Sequence, residues 1–186
     1  MVKTGTALLA AYRGHTPENI RDISLTQNVQ GRWSQPRIPH TDNWHFAGCP
    51  VNGPHLDTDG VTTALVWFSA PQDQPEVQLA FSEDEGSTFA PPMRIDEGNV
   101  VGRAQVVLLP GRSTLAFWLE GKHGTARLLG RLIRDNKKPE APFEVARGAG
   151  LGYPHAVRVG KNVLITWSAE TPISQIHVAV LDSESQ

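Results

Sequence analysis

The sequence predicts an all-β fold, a β-propeller of four-stranded antiparallel blades, with about three and a half to four blades in this chain and the ring left incomplete. Three observations predict it. A glycine-to-aromatic spacing returns about every fifty residues; the apolar runs are short, β-branched and interrupted by Gly or Pro; and 186 residues carry 14 Pro, 17 Gly and 5 Trp. Short strands joined by many turns follow from that composition, and no segment holds a helical period.

The spacing occurs four times, pairing Gly5 with Tyr12, Gly60 with Trp67, Gly111 with Trp118 and Gly160 with Trp167. Successive glycines lie 55, 51 and 49 residues apart, the length of one four-stranded blade. Ahead of the last three glycines, residues 54–57, 105–108 and 154–157 read as inner strands that a glycine turn joins to the aromatic strand. Third strands are predicted over 20–26, 77–82, 128–133 and 176–181, and fourth strands over 33–38, 89–95 and about 143–146. The whole chain is then one partial propeller, with blades at about 1–40, 50–96, 102–147 and 152–186. On this count the first blade lacks its inner strand and the last its outer one. A sandwich also uses short strands, but it does not predict a repeat of fifty residues. An open ring leaves two apolar blade faces bare, so a second copy forming a homodimer, or a missing remainder of the propeller, is expected to cover them.

Charge and chemistry narrow the partners. A formal net charge of −2 with scattered Lys and Arg gives nucleic acid or an anionic membrane surface no basic stripe to grip. No apolar stretch approaches the ~20 residues of a membrane span. Cys49 is the single cysteine and cannot form an internal disulfide. His40, Asp42, His45, Cys49 and His55 match no standard zinc spacing, so no metal and no cofactor is expected. The first residues reach Arg13 after too short an apolar run for a signal peptide.

Ser82-Glu83-Asp84-Glu85-Gly86-Ser87-Thr88-Phe89 reads S-x-D-x-G-x-T-F. It is built as a hairpin in which Asp84 accepts turn amides, Gly86 takes a positive φ and Phe89 packs back between strands. With this octapeptide the chain resembles the Asp-box, or BNR-repeat, propellers related to sialidases. The run Ala47-Gly48-Cys49-Pro50-Val51-Asn52-Gly53-Pro54 before the Trp67 strand looks like bacterial exo-α-sialidase-like proteins. In that family the box joins the third and fourth strands and lies away from the active site, so Ser82, Asp84, Gly86, Thr88 and Phe89 are expected to be structural. The resemblance also implies a secreted or periplasmic setting.

Propeller ligands bind at the channel mouth, which the loops entering the inner strands and those between the second and third strands form. The first set offers Asn52, His55, Arg103, Tyr153 and His155, and the second offers Arg13, Arg21, Asp22 and Glu120. Arg13, Arg21, Asn52, His55, Arg103 and His155 are therefore the candidate ligand-binding residues. The resemblance implies three arginines on a substrate carboxylate, for which Arg13, Arg21 and Arg103 are available, because guanidinium matches a carboxylate with paired donors. It further implies a Tyr nucleophile assisted by Glu, with a carboxylic acid near the leaving oxygen; Tyr153, Glu120 and Asp22 are the candidates for these catalytic parts. The family's F/Y-R-I-P motif lies on an inner strand, whereas Pro36-Arg37-Ile38-Pro39 begins with proline and falls on a predicted outer strand. Arg13, Arg21 and Asp22 also fit a loop-stabilising ion-pair group, and His55 and His155 fit equivalent, satisfied strand positions. The expected function is a segment that binds a carbohydrate or other small polar ligand at the channel mouth. The alternatives are an exo-α-sialidase or related glycoside hydrolase once assembled with missing blades, and a non-catalytic scaffold for another protein.

Overall fold

The computed structural model describes residues 1–122, 124–170 and 173–182. Strands pair antiparallel, in chain order, into four sheets. The first blade comprises β1 (Val2–Lys3), β2 (Leu8–Arg13), β3 (Ile23–Val29) and β4 (Arg32–Trp33). The second comprises β5 (His55–Thr58), β6 (Thr63–Ser69), β7 (Glu76–Ser82) and β8 (Met93–Arg94). The third has β9 (Val100–Leu109), β10 (Ser113–Lys122), β11 (Thr125–Arg134), β12 (Lys138–Pro139) and β13 (Phe143–Gly148). The fourth has β14 (Gly152–Val159), β15 (Asn162–Ala169) and β16 (Gln175–Asp182).

Gly60, Gly111 and Gly160 occupy the same corner of successive blades, the turn from inner to second strand, with φ of 108°, 71° and 61°. A side chain is strained there, which is why the sequence repeat is anchored on glycine. The inner strands β1, β5, β9 and β14 neighbour one another in that order, as sheets fanned around an axis require. The ring they begin is not closed.

In the second, third and fourth blades the second strand turns its tryptophan toward the preceding blade. Trp67 lies with Leu56 and Leu65 against Leu9, Ile23 and Leu25 of the first blade. Trp118 packs against Val66 and Leu79 of the second, and Trp167 joins Phe117 and Leu128 of the third. Stability thus resides between blades rather than within them. Inner strands are also sheet edges, whose amides need partners. The second blade supplies two: the Val106 amide donates to His55 Nδ1 at 3.3 Å, and the Leu108 amide to Asp57 Oδ2 at 2.7 Å.

Three features depart from the sequence reading. The first blade does have an inner strand, a two-residue stub in which Val2 and Lys3 pair with Leu9 and Leu8. In the third blade the outer position is shared, because β12 pairs with one end of the long β11 and β13 with the other. The outer strands predicted over 33–38 and 89–95 shorten to β4 and β8. Pro36, Pro91 and Pro92 have no amide to donate, so only single contacts persist, such as the bridge of Arg37 to Leu25 and the Ala90 amide bond to the Phe81 carbonyl.

The turn over residues 82–89 does double duty. Within itself, Asp84 accepts the Thr88 amide at 2.8 Å, the Thr88 hydroxyl at 2.6 Å and the Ser82 hydroxyl at 2.7 Å. Burial pushes the Asp84 carboxyl up, but these bonds outweigh it and hold it down to about 2. Between blades, Gly86 sits at φ 81° where a Cβ would come within 2.4 Å of Leu9, and Phe89 packs on the core between the first two blades. The Glu85 carboxylate takes the Thr6 amide and hydroxyl at 2.8 and 2.6 Å, and Arg37 donates to the Gly86 carbonyl. Asp84→Ala should therefore cost about 1–3 kcal/mol of unfolding free energy in urea titrations, the range for hydrogen bonds to a charged acceptor. An unchanged midpoint would show that the turn does not depend on the Asp84 hydrogen bonds.

Candidate ligand site at the channel mouth

The starts of β5, β9 and β14 and the ends of β2, β6, β10 and β15 lie on one face, because antiparallel alternation brings them to the same end of every blade. Two inner strands are irregular there. The register between β9 and β10 shifts between the pairs Phe117–Gln105 and Leu119–Gly102, and that between β14 and β15 shifts between Ser168–Gly152 and Thr166–His155. Arg103 and Tyr153 occupy these bulges with φ of 54° and 48°. Bulges re-aim the side chain they carry. Here they bring the Arg103 guanidinium over the Tyr153 ring, 4.9 Å from its centroid.

Asn52 fixes the bulge of β9 from the neighbouring blade. Its side chain accepts the Arg103 amide at 3.0 Å and donates to the Val101 carbonyl at 3.0 Å. The fit requires glycine at 102, where a Cβ would lie 2.6 Å from the Asn52 side chain. Arg103 Nη1 donates in turn to the Val51 carbonyl at 2.9 Å. Tyr153 is 70% exposed, a large apolar ring held open at the rim.

Below the rim, His55 and His155 meet edge to face with centroids 6.1 Å apart. His55 receives the Val106 amide on Nδ1, so the neutral ring carries its proton on Nε2 and serves as a donor. Burial, then the nearby His155 and the N-terminal amino group, lower the His55 pKa to about 4. Gln105 stands between these rings in the repeat: His55, Gln105 and His155 pair with Val66, Phe117 and Thr166, each the residue before its blade's tryptophan. Its Oε1 is buried with no partner among the described residues. Sequence reasoning missed Gln105 because the turn around Gly111 is one residue longer than those around Gly60 and Gly160, which offsets the alignment. Arg103, Gln105, Tyr153, His155 and Pro54 line a cleft of about 370 Å³, joined through Arg103 and Tyr153 to a second of about 250 Å³ beside Ser168 and Glu170.

The other nominated residues stand elsewhere on this face. Arg13 donates to the carbonyls of Arg21, Asn52 and Phe68 at 2.8, 3.0 and 2.5 Å and stacks over Trp44. Burial lowers its pKa to about 10, with Asp42 and Asp22 acting against that, so it stays charged at neutral pH. Arg21 donates to the carbonyls of Phe46 and Gly48 at 2.8 and 2.7 Å. Asp22 is buried and accepts the Asp42 amide at 3.2 Å, while the Asp42 carboxylate accepts the Trp67 indole at 2.7 Å. Together these four side chains tie the segment after β4 onto the first two blades. Glu120 is also buried, bound by the Trp118 indole and by Arg127 at 2.9 Å each, at a separate hollow of about 230 Å³ on the third blade. The structure thus joins Asn52, His55, Arg103, Tyr153 and His155 in one place and engages Arg13, Arg21, Asp22 and Glu120 in holding the protein together.

No protein-family model matches the chain, and no curated protein matches it in sequence. In three dimensions it is similar to a thermostable family-43 glycoside hydrolase, with 12% identity and a TM-score of 0.58 over 94% of this chain and 66% of that one. It is also similar to a Trypanosoma rangeli sialidase solved with 2,3-difluorosialic acid, with 9% identity and a TM-score of 0.64 over 98% of this chain and 34% of that one. A Bacteroides ovatus GH43B from a xyloglucan locus shares 13% identity at a TM-score of 0.52, over 96% of this chain and 39% of that one. The chain spans about two thirds of the first of these proteins and little more than a third of the others. Among the described residues no helix is long and apolar enough to cross a membrane. Sheet order, glycine corners and structural likeness agree that the chain has a β-propeller fold like that of glycoside hydrolases, with its ring open.

Proposed function

We infer that the cleft between Arg103, Tyr153 and His155 binds a carbohydrate. The observation that carries this is an exposed aromatic ring at the channel mouth, stacked by an arginine and held in place by a strand bulge. A flat ring offers a platform to the apolar face of a sugar, and the Arg103 nitrogens not bound to Val51 suit hydroxyl or carboxylate groups beside it. The resemblance of residues 82–89 to an Asp-box and the likeness to sialidase and family-43 folds support the same class of ligand.

Binding is favoured over hydrolysis by this chain alone. A sialidase-like site needs three arginines on one carboxylate, and all three candidates here already donate to backbone carbonyls, Arg13 and Arg21 through two nitrogens each and Arg103 through Nη1. Exo-α-sialidase or related hydrolysis would require groups from further blades, supplied by a second copy or by the remainder of a longer chain.

Calorimetric titration with free sialic acid and with xyloglucan oligosaccharides tests the reading. Saturable binding of one of them should weaken about tenfold on Tyr153→Ala or Arg103→Ala, as loss of one stacking contact of about 1–1.5 kcal/mol predicts. No saturable binding of either sugar, or affinity unmoved by both substitutions, would remove the cleft from consideration. Release of fluorophore from a sialoside would instead favour the hydrolase.

A further inference from the structure

We propose that two copies of this chain close one ring head to tail, the first blade of each docking on the fourth blade of the other. The inference goes beyond sugar binding and stands or falls separately from it. It rests on the two halves of one interface that the blade repeat leaves unfilled at opposite ends of the chain.

Each internal interface has the same two parts. The following blade presents its second-strand aromatic, and the preceding blade presents a row on its third strand. In the second blade that row is Val77, Leu79 and Phe81, which the third blade covers to 0%, 0% and 7% exposure. Strand register places Ile176, Val178 and Val180 at the same positions of the fourth blade, opposite Ser168, Thr166 and Leu164 as Val77, Leu79 and Phe81 are opposite Phe68, Val66 and Ala64. There they are 73%, 59% and 59% exposed, and Val157 on β14 extends the same bare face. This is the row that receives an aromatic.

The aromatic is at the other end. Tyr12 occupies the position of Trp67, Trp118 and Trp167, but it is 41% exposed where they are 1%, 0% and 9%. Leu8 and Trp33 lie on the same outward face, through the pairing of both with Asn28. A third-strand row without its aromatic and an aromatic without its row are complementary, not self-complementary. Such heterologous faces leave none free only when the rotation closes. Two copies of four sheets make eight, which is within the four to eight blades that close propellers. Internal register even specifies a contact. Leu25 and Trp67 share one core and Leu79 and Trp118 another, so Val178, the equivalent of Leu25 and Leu79, faces Tyr12 of the second copy.

Light scattering of the purified chain at micromolar concentration should give twice 20.3 kDa. Tyr12→Lys and Val178→Lys should each raise the dimer dissociation constant at least tenfold, while near-ultraviolet circular dichroism stays native because both positions are on the surface of one copy. Tyr12→Lys combined with Val178→Glu should restore pairing, since the new charges meet across the interface. A monomer at these concentrations overturns the proposal. So does a dimer that Val178→Lys breaks but Tyr12→Lys does not, which would be two fourth blades back to back. Sugar titration of the same variants keeps the two readings apart, because the Arg103 and Tyr153 cleft lies within one copy.

Discussion

Trp118→Ala is expected to lower the unfolding free energy by about 3–5 kcal/mol, the range for deleting a large buried aromatic. Trp118 is fully buried between the second and third blades, against Val66, Leu79 and Leu108. Three losses coincide in this substitution. The cavity opens in the inter-blade core, Arg131 loses the ring it lies over, and the buried Glu120 carboxylate loses its indole donor and keeps Arg127. Urea unfolding followed by tryptophan fluorescence and circular dichroism measures it, and the melting temperature should fall by roughly 10 °C for a chain of this size. A loss under about 1 kcal/mol would mean that the blades do not depend on one another, against the zipped inter-blade packing described above.

The second large effect is acid sensitivity at His55. Its pKa in the folded protein is about 4 against an ordinary 6.5, because burial first, and then the charges of His155 and the N-terminus, disfavour the imidazolium. The unfolded chain therefore binds a proton in a range where the folded one refuses it. Stability is full above pH 6.5 and declines as the pH falls from there toward 4, by up to roughly 3 kcal/mol in all. Asp42 and Asp57, whose carboxyls burial raises, work in the opposite sense and begin to offset the decline only as the pH enters the carboxylate range. His55→Gln keeps an acceptor for the Val106 amide and cannot titrate. Unfolding midpoints between pH 8 and pH 5 should fall more steeply for the parent than for this variant. Parallel slopes would show that His55 is not the group responsible.

Much of the architecture was legible because it is local and periodic. A glycine that must take positive φ and an aromatic seven residues later fix the corner and the core position of a blade, and Gly60, Gly111 and Gly160 occupy them. The outer strands were less legible. Pro91 and Pro92 follow Phe89 in an apolar run that looks like a strand, yet a chain without amides there can pair only at β8. The rim was read in part, since loops entering inner strands named Arg103, Tyr153, His55 and His155. What single positions could not disclose is which partners a long side chain finds. Arg13, Arg21 and Arg103 are alike in sequence, but Arg13 reaches the carbonyls of Arg21, Asn52 and Phe68, Arg21 reaches those of Phe46 and Gly48, and Arg103, bound to Val51, is lifted by a bulge onto Tyr153. That difference depends on backbone geometry between blades, which no local pattern encodes.

The fourth blade ends on β16, whose residues Ile176-His177-Val178-Ala179-Val180-Leu181 have no strand beyond them among the described residues. A β-branched, uncharged ribbon with one row of backbone groups unpaired is a template on which other chains can stack into cross-β aggregates. Yield and shelf life of the isolated chain should therefore depend on keeping that ribbon shielded, and a lysine placed on it would act as a gatekeeper against fibre growth.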